Sequence, residues 1–234
     1  MANFSYPDGL ILPPNIPELN PESSFELPLC IQATLAHNNK IEVGAFTGIY
    51  GGRIGHCNIG RYCSIASGVD IASDQHPTEW LSSSMVQYVP NIHGWGDWLK
   101  KHEYEYVEPT TRFSSNATVH IGSDVWIGQG VFIKSGIRIG HGAIIAAHSV
   151  VIENIPPYAI VAGVPAKVKK FRFRADIIER LLNLEWWKYS ISSIKGIDFK
   201  NIDNGLSLLE EKIMSGDILP FETKVIKFKD LKEK

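Results

Sequence analysis

The chain has 234 residues, 44% hydrophobic and 21% charged, with a formal net charge of −2 at pH 7. That balance supports a large buried core and supplies no general attraction to nucleic acid or an anionic membrane. No run of about 20 apolar residues is present to span a bilayer, and the first fourteen residues lack the basic-then-apolar pattern of a secretory signal. Cys30, Cys57 and Cys63 are odd in number and have no metal-ligand spacing, which fits a reducing, cytoplasmic compartment.

Residues 1–28, rich in Pro and Asn, read as an extended N-terminal arm. A repeat of period six then begins, with Leu29, Leu35, Ile41, Thr47, Ile59, Ile65 and Ile71 in its first slot. Its fifth slot takes Ala33, Ala45, Gly51, Cys57, Cys63 and Val69, so the two later cysteines read as small fillers rather than a redox pair. Arg53 falls where an aliphatic is wanted, and the register is imperfect around it. After Ile71 the rhythm stops at DQHPTEW, residues 74–80, and an excursion over 77–115 follows. The excursion carries Trp80, Tyr88, Trp95, Trp98, Tyr104 and Tyr106, an aromatic density that argues against disorder.

The repeat resumes more strictly over 121–156, with Ile121, Ile127, Ile133, Ile139, Ile145 and Val151 in its first slot. Period six is neither helical nor a strand alternation; it predicts a mainly β chain folded as a parallel β-helix over residues 29–170. Three hexads make one triangular coil, each aliphatic stacks on the residue eighteen positions later, and about five coils rise roughly 20–25 Å. Residues 171–234 form a C-terminal helical cap and tail. RADIIERLLNLEWW, residues 174–187, has helical spacing with Asp176 in its first turn. A second helix is expected around Leu206–Met214, opened by Asp203 or Asn204, and the tail from Lys224 is expected to be peripheral.

The block GSDVWIGQGVFIKSGIRIGHGAIIAAHSVVIENIPPYAIVAGVPAKVKKFRF, followed by Trp186-Trp187, resembles the hexapeptide-repeat acyltransferases. It is most like the xenobiotic acetyltransferase branch, which holds chloramphenicol and streptogramin acetyltransferases and related sugar O-acetyltransferases. The stretch around His76 is similar to that branch's active-site segment. The resemblance implies a left-handed parallel β-helix, a homotrimer with intersubunit sites, and acetyl-CoA bound between neighbouring prisms. It implies an acetyl-CoA-dependent O-acetyltransferase, with His76 as general base and Trp126 beside it in the site. Direct transfer is expected, because no G-x-S-x-G nucleophile motif is present.

Asp74, Glu79 or a backbone carbonyl would orient the imidazole. Small residues at Ala146, Ala147, Ala162 and Gly163 would let the pantetheine arm approach backbone, and Lys167 and Lys169, with Lys170 and Arg172 nearby, would meet the phosphates. Trp95, Trp98 and Tyr104 suit a saccharide acceptor, while an antibiotic acetyltransferase or an amino-sugar N-acetyltransferase is the alternative. A non-catalytic trimeric scaffold is the reading outside the enzymes. No metal is expected, since no acidic partner recurs near the histidines at ligand spacing. His148 stands where relatives often have Asn or Gly.

Overall fold

A computed structural model describes residues 4–6 (backbone only), 9–114 and 117–231. The other residues, which include the first part of the expected arm, the end of the excursion and the end of the tail, lie outside the described residues. The chain divides into two compact units, one reaching to Ser73 and resuming at Thr118, the other Asp74–Ala117.

The first unit is the β-helix. Its first face stacks seven parallel strands: Leu10–Leu12, Leu29–Ile31, Gly48–Ile49, Ser64–Ile65, Trp126–Ile127, Ile144–Ile145 and Ala159–Ala162. The second face stacks Ser24–Glu26, Ile41–Val43, Cys57–Ile59, Val119–Ile121 and Arg138–Ile139. The third stacks Thr34–Leu35, Gly52–Ile54, Val69–Ser73, Phe132–Lys134 and Val150–Val151. Inward aliphatics form continuous columns; Ile31, Ile49, Ile65, Ile127, Ile145 and Val161 are all fully buried on the first face. Each such side chain contributes about 1.5–3 kcal/mol by leaving water.

Three expectations are revised. Residues 10–28, expected as an extended arm, contribute strands to the β-helix: Leu10–Leu12 and Ser24–Glu26 extend the first two faces by a coil. The tail is not peripheral, because Val225–Lys227 pairs antiparallel with Ser24–Glu26 and Phe228 is buried beside it. The early register is also different. Ile31 stacks on Ile49, but Ile49 stacks on Ile65, a coil two residues shorter. In that register Ile54 fills the inward slot, and Arg53 points outward to Asp70 and the Ser73 hydroxyl. Leu29 and Thr47 sit two residues before the stacked aliphatics of the first face.

Sheet edges left open invite further pairing. Antiparallel strands cover three of them here: Phe4–Tyr6 and Lys167–Phe171 at the two ends of the first face, and Val225–Lys227 on the second. Beyond the last coil, helix α2 spans Ala175–Leu184 in the second part of the chain, after helix α1 at Trp95–Lys101 in the excursion. Helix α3 spans Ile202–Met214, and its cap is Asn201, whose side chain accepts from the Asn204 N–H at 3.2 Å, rather than Asp203 or Asn204. A last short helix, α4, is Phe228–Leu231. Ile177 and Leu181 of α2 and Leu206 of α3 bury against Tyr158. Among the described residues no helix is long and apolar enough to cross a membrane.

Cys57 and Cys63 are buried on different faces, and burial pushes both thiols up to about 12. They are fillers, held as neutral thiols, as the repeat led us to expect.

Candidate functional site

The Asp74–Ala117 unit carries His76. Its Nδ1 lies 2.8 Å from the Ser83 carbonyl oxygen. A carbonyl only accepts, so Nδ1 is the donor, and in the neutral tautomer that makes this bond Nε2 is the bare nitrogen. The Tyr88 hydroxyl oxygen lies 3.1 Å from the same nitrogen, as a second acceptor for that N–H. Tyr88 is buried, and its ring packs edge-on against Trp80 and tilts against Phe113 at 5.9 and 5.3 Å between centroids. His76 itself is exposed. The chain therefore holds one edge of the imidazole on a fixed aromatic base and leaves the other edge able to accept a proton. A backbone carbonyl, one of the three orienting groups considered from sequence, thus lies at hydrogen-bond distance from the ring.

The same unit presents Trp95, Trp98 and Tyr104, each more than half exposed. Trp95 and Trp98 lie on α1, and the Trp98 and Tyr104 rings are nearly parallel, 6.3 Å between centroids. His102 packs 4.3 Å from Trp98. Asp97 is tied to Asn91, which fixes the start of α1.

The β-helix unit carries the remaining candidates. Trp126 points outward from the first face between Ser64 and Ile144 and is 54% exposed. It borders a cleft of about 400 Å³ together with Tyr62, Asp124 and Arg172. Arg172 does not stand free for a phosphate: it donates to Asp124 at 2.9 Å and to the Gly142 carbonyl at 2.7 Å, and covers the Tyr158 and Phe173 rings. Burial pushes the Asp124 carboxyl up, and Arg172 acts against it. Lys167 bonds both carboxylate oxygens of Glu153 at 2.9 Å, while Lys169 is exposed on the same strand.

Ala162 pairs with Lys167, and Ala146 donates its N–H to Val161 in the neighbouring strand. Ala147 and Gly163 are exposed at the strand ends. Gly163 has φ +107, a conformation that side chains rarely adopt; its N–H donates to the Ser149 hydroxyl at 3.2 Å and its carbonyl accepts from the Val150 N–H at 3.1 Å. These small residues lie at the ends of neighbouring strands of the first face.

His148 sits at the left-handed corner that Gly68 and Gly130 occupy in earlier coils, with φ 58. Asn and Gly favour that conformation. Its ring lies over Gly130, leaving no room there for a side chain. His141 is structural: its Nδ1 accepts from the Ser123 N–H at 2.9 Å and its ring stacks on Trp187 at 4.3 Å. Among the described residues, no group of three His, Cys, Asp or Glu could hold a metal ion.

Comparison with known proteins bears on the whole arrangement. Residues 118–153 match the family model described as bacterial transferase hexapeptide, six repeats. A probable macrolide acetyltransferase of Lysinibacillus sphaericus is 38% identical over 163 residues, covering 69% of this chain and 86% of that protein. The chain belongs to the hexapeptide-repeat transferase family. A chloramphenicol acetyltransferase of Klebsiella aerogenes is 39% identical over 140 residues, 58% of this chain. The match spans 61% of that relative's length. A putative lipopolysaccharide biosynthesis O-acetyl transferase of Escherichia coli K12 is 34% identical over 123 residues, 52% of this chain and 54% of that protein. Tyr88 and the Ser83 carbonyl, the groups in contact with His76, were not singled out as its partners from sequence, and the aromatic content of the excursion was the only signal pointing to the former.

Proposed function

We propose that this transferase moves an acetyl group from acetyl-CoA to a hydroxyl of a saccharide, by direct transfer with His76 as general base. The observation that carries the reading is the fixed imidazole: Nδ1–H held by the Ser83 carbonyl, Nε2 left as the acceptor. Acetyl-CoA supplies the acetyl thioester; as the new ester forms, the C–S bond breaks and CoA leaves as the thiol, taking the proton that Nε2 removed from the hydroxyl. Nε2 takes the proton of the attacking hydroxyl, and the Ser83 carbonyl and Tyr88 oxygen stabilise the positive ring that results. Trp126 is assigned as a wall of the site on its own unit.

We assign Ala146, Ala147, Ala162 and Gly163 to the pantetheine arm, and Lys169 to the phosphates. Lys167 joins them only by exchanging Glu153 for a phosphate oxygen. Trp95, Trp98 and Tyr104 offer broad, exposed ring faces, which suit stacking against a sugar. The active protein is a cytoplasmic homotrimer with sites completed between subunits; its three free cysteines agree with a reducing compartment.

A second reading is acetylation of an antibiotic hydroxyl, favoured by the relatives named for chloramphenicol and macrolides. Both readings are tested by thiol release from acetyl-CoA against saccharides, nucleotide sugars, amino sugars, chloramphenicol and a macrolide. The saccharide reading expects turnover with a sugar hydroxyl and at least tenfold lower kcat/KM with either drug. Drug turnover with no sugar turnover selects the second reading. Absence of CoA binding at millimolar concentration leaves a non-catalytic scaffold, and sedimentation as a monomer removes the intersubunit site.

A further inference from the structure

The outward side of the second face carries a column set in register, in which His120 stands between Asn58 and Arg138. Where the column runs toward the last coil, a groove of about 570 Å³ opens that has no part in acetyl transfer as proposed. Small-molecule sites span about 300–1,000 Å³. The polar side chains of this groove are His120, Arg138, His141 and Asn154, and Pro156 and Pro157 give it an apolar wall.

The hydrogen-bonding capacity of these four groups is one-sided. The His141 Nδ1 accepts from the Ser123 N–H at 2.9 Å, so the neutral ring carries its proton on Nε2 and offers a donor there. The ring itself is held flat on Trp187, 4.3 Å between centroids. The Asn154 side-chain oxygen accepts from the Arg138 backbone N–H at 2.8 Å, which leaves the amide nitrogen to donate. The Arg138 guanidinium is exposed, donates only, and has no partner among the described residues. His120 alone keeps a ring nitrogen able to accept. Among the described residues no Asp or Glu lines the groove. The acids nearby are engaged elsewhere: Glu42 by Lys40 and Asn58, Glu185 by Lys188, and Glu153 by Lys167.

A lone surface arginine is ordinary. Around this one the fold has used up acceptors and left donors, so the complement of the groove is a group that only accepts. Carboxylate and phosphate are such groups, and a guanidinium meets either one through two parallel bonds. We propose that this groove binds a monosaccharide-sized oxyanion, whose carboxylate or phosphate sits on Arg138 and whose ring lies against Pro156 and Pro157. The inference stands apart from the acetyl-transfer reading and holds whether or not the chain turns over acetyl-CoA.

The test is calorimetric titration of the full chain with glucuronate, glucose 6-phosphate and glucose. At least one of the two anions binds about tenfold or more tightly than glucose, the ratio expected of one hydrogen bond to a charged group. The tighter of the two tells whether the groove prefers carboxylate or phosphate. Arg138→Gln melts like the parent, because the side chain is exposed, and weakens that anion at least tenfold. Asn154→Asp still accepts from the Arg138 N–H but replaces a donor with a negative charge, and weakens it by a similar factor. Lys195→Gln, which removes an exposed cation elsewhere, leaves the affinity unchanged. The proposal is overturned if neither anion binds more tightly than glucose in the millimolar range, or if Arg138→Gln or Asn154→Asp binds as the parent does. It is equally overturned if Lys195→Gln weakens binding as much as Arg138→Gln, which would mark a diffuse effect of net charge.

Discussion

The coils and the Asp74–Ala117 unit are built on opposite plans. In the coils, the interior strands face near-copies of themselves above and below, and the inward residues are mostly buried aliphatics. In the excursion no described residue joins a sheet, and only Pro77, Tyr88 and Gly96 are buried. Its order comes from ring contacts among Trp80, Tyr88 and Phe113, from the short helix α1, and from Tyr106 closing over Gly96. A region that buries so little is free to display side chains, whereas a region that buries every second residue is free only to hold shape. The contrast predicts that chemistry fails in one region and stability in the other.

The largest separation is expected from His76→Ala. Because His76 is exposed, the melting curve should not move, while kcat should drop by about 10²–10⁴-fold. Paired thiol-release kinetics and circular dichroism melts check both halves; a parent-like kcat removes His76 from the mechanism. Ile127→Ala makes the reverse case. It opens a void in the middle of the first-face column and should cost about 2–5 kcal/mol in urea unfolding.

Arg172→Met comes next, at about 1–3 kcal/mol, because it strands the half-buried Asp124 carboxylate. Adding Asp124→Asn should recover part of that loss, and a double-mutant cycle that is strictly additive would show that the pair is not coupled. A smaller effect is expected from Tyr88→Phe. Losing one acceptor of the His76 N–H should lower kcat about fivefold with KM unchanged. A change confined to KM would place Tyr88 in packing alone.

The smallest effect is a pH slope belonging to the coils. Burial holds the His141 imidazole below its ordinary value of 6.5, with Glu185 opposing, and its Nδ1 must stay bare to accept from Ser123. Between the lowered value and 6.5 the unfolded chain binds more protons than the native one, so stability rises with pH across that window and is lost as pH falls below it. His56 is lowered by burial as well and adds to the same slope. Urea midpoints between pH 5 and 7 should therefore increase with pH, and less steeply in His141→Asn.

The β-helix was readable because each aliphatic in a hexad reports the direction of its own side chain. The reading slipped around Arg53 because some coils are two residues shorter than others, and a fixed period cannot follow that. Residues 10–28 were missed for a related reason: a first coil has only one neighbour, so the sequence need not repeat to build it. In the site, residue types were legible and pairings were not. Nothing in the sequence marks the Ser83 carbonyl as the partner of His76, since any residue carries one. Arg172 and Asp124 are 48 positions apart and Lys167 and Glu153 are 14 apart, so only the fold joins them.

The place where the chain leaves the coils has an evolutionary consequence. One coil earlier, the step from Ile54 on the third face to Cys57 on the second is made through Gly55 and His56 alone. The next coil makes the same step from Val69–Ser73 to Val119–Ile121, with the whole Asp74–Ala117 unit spliced between, and still pairs Val119 with Cys57. The splice thus begins and ends on sites that a two-residue corner would join. Lengthening such a connection costs free energy only logarithmically. The excursion is in this sense a cassette: a lineage can swap it, and with it whatever it recognises, while every hydrogen bond of the scaffold keeps its register.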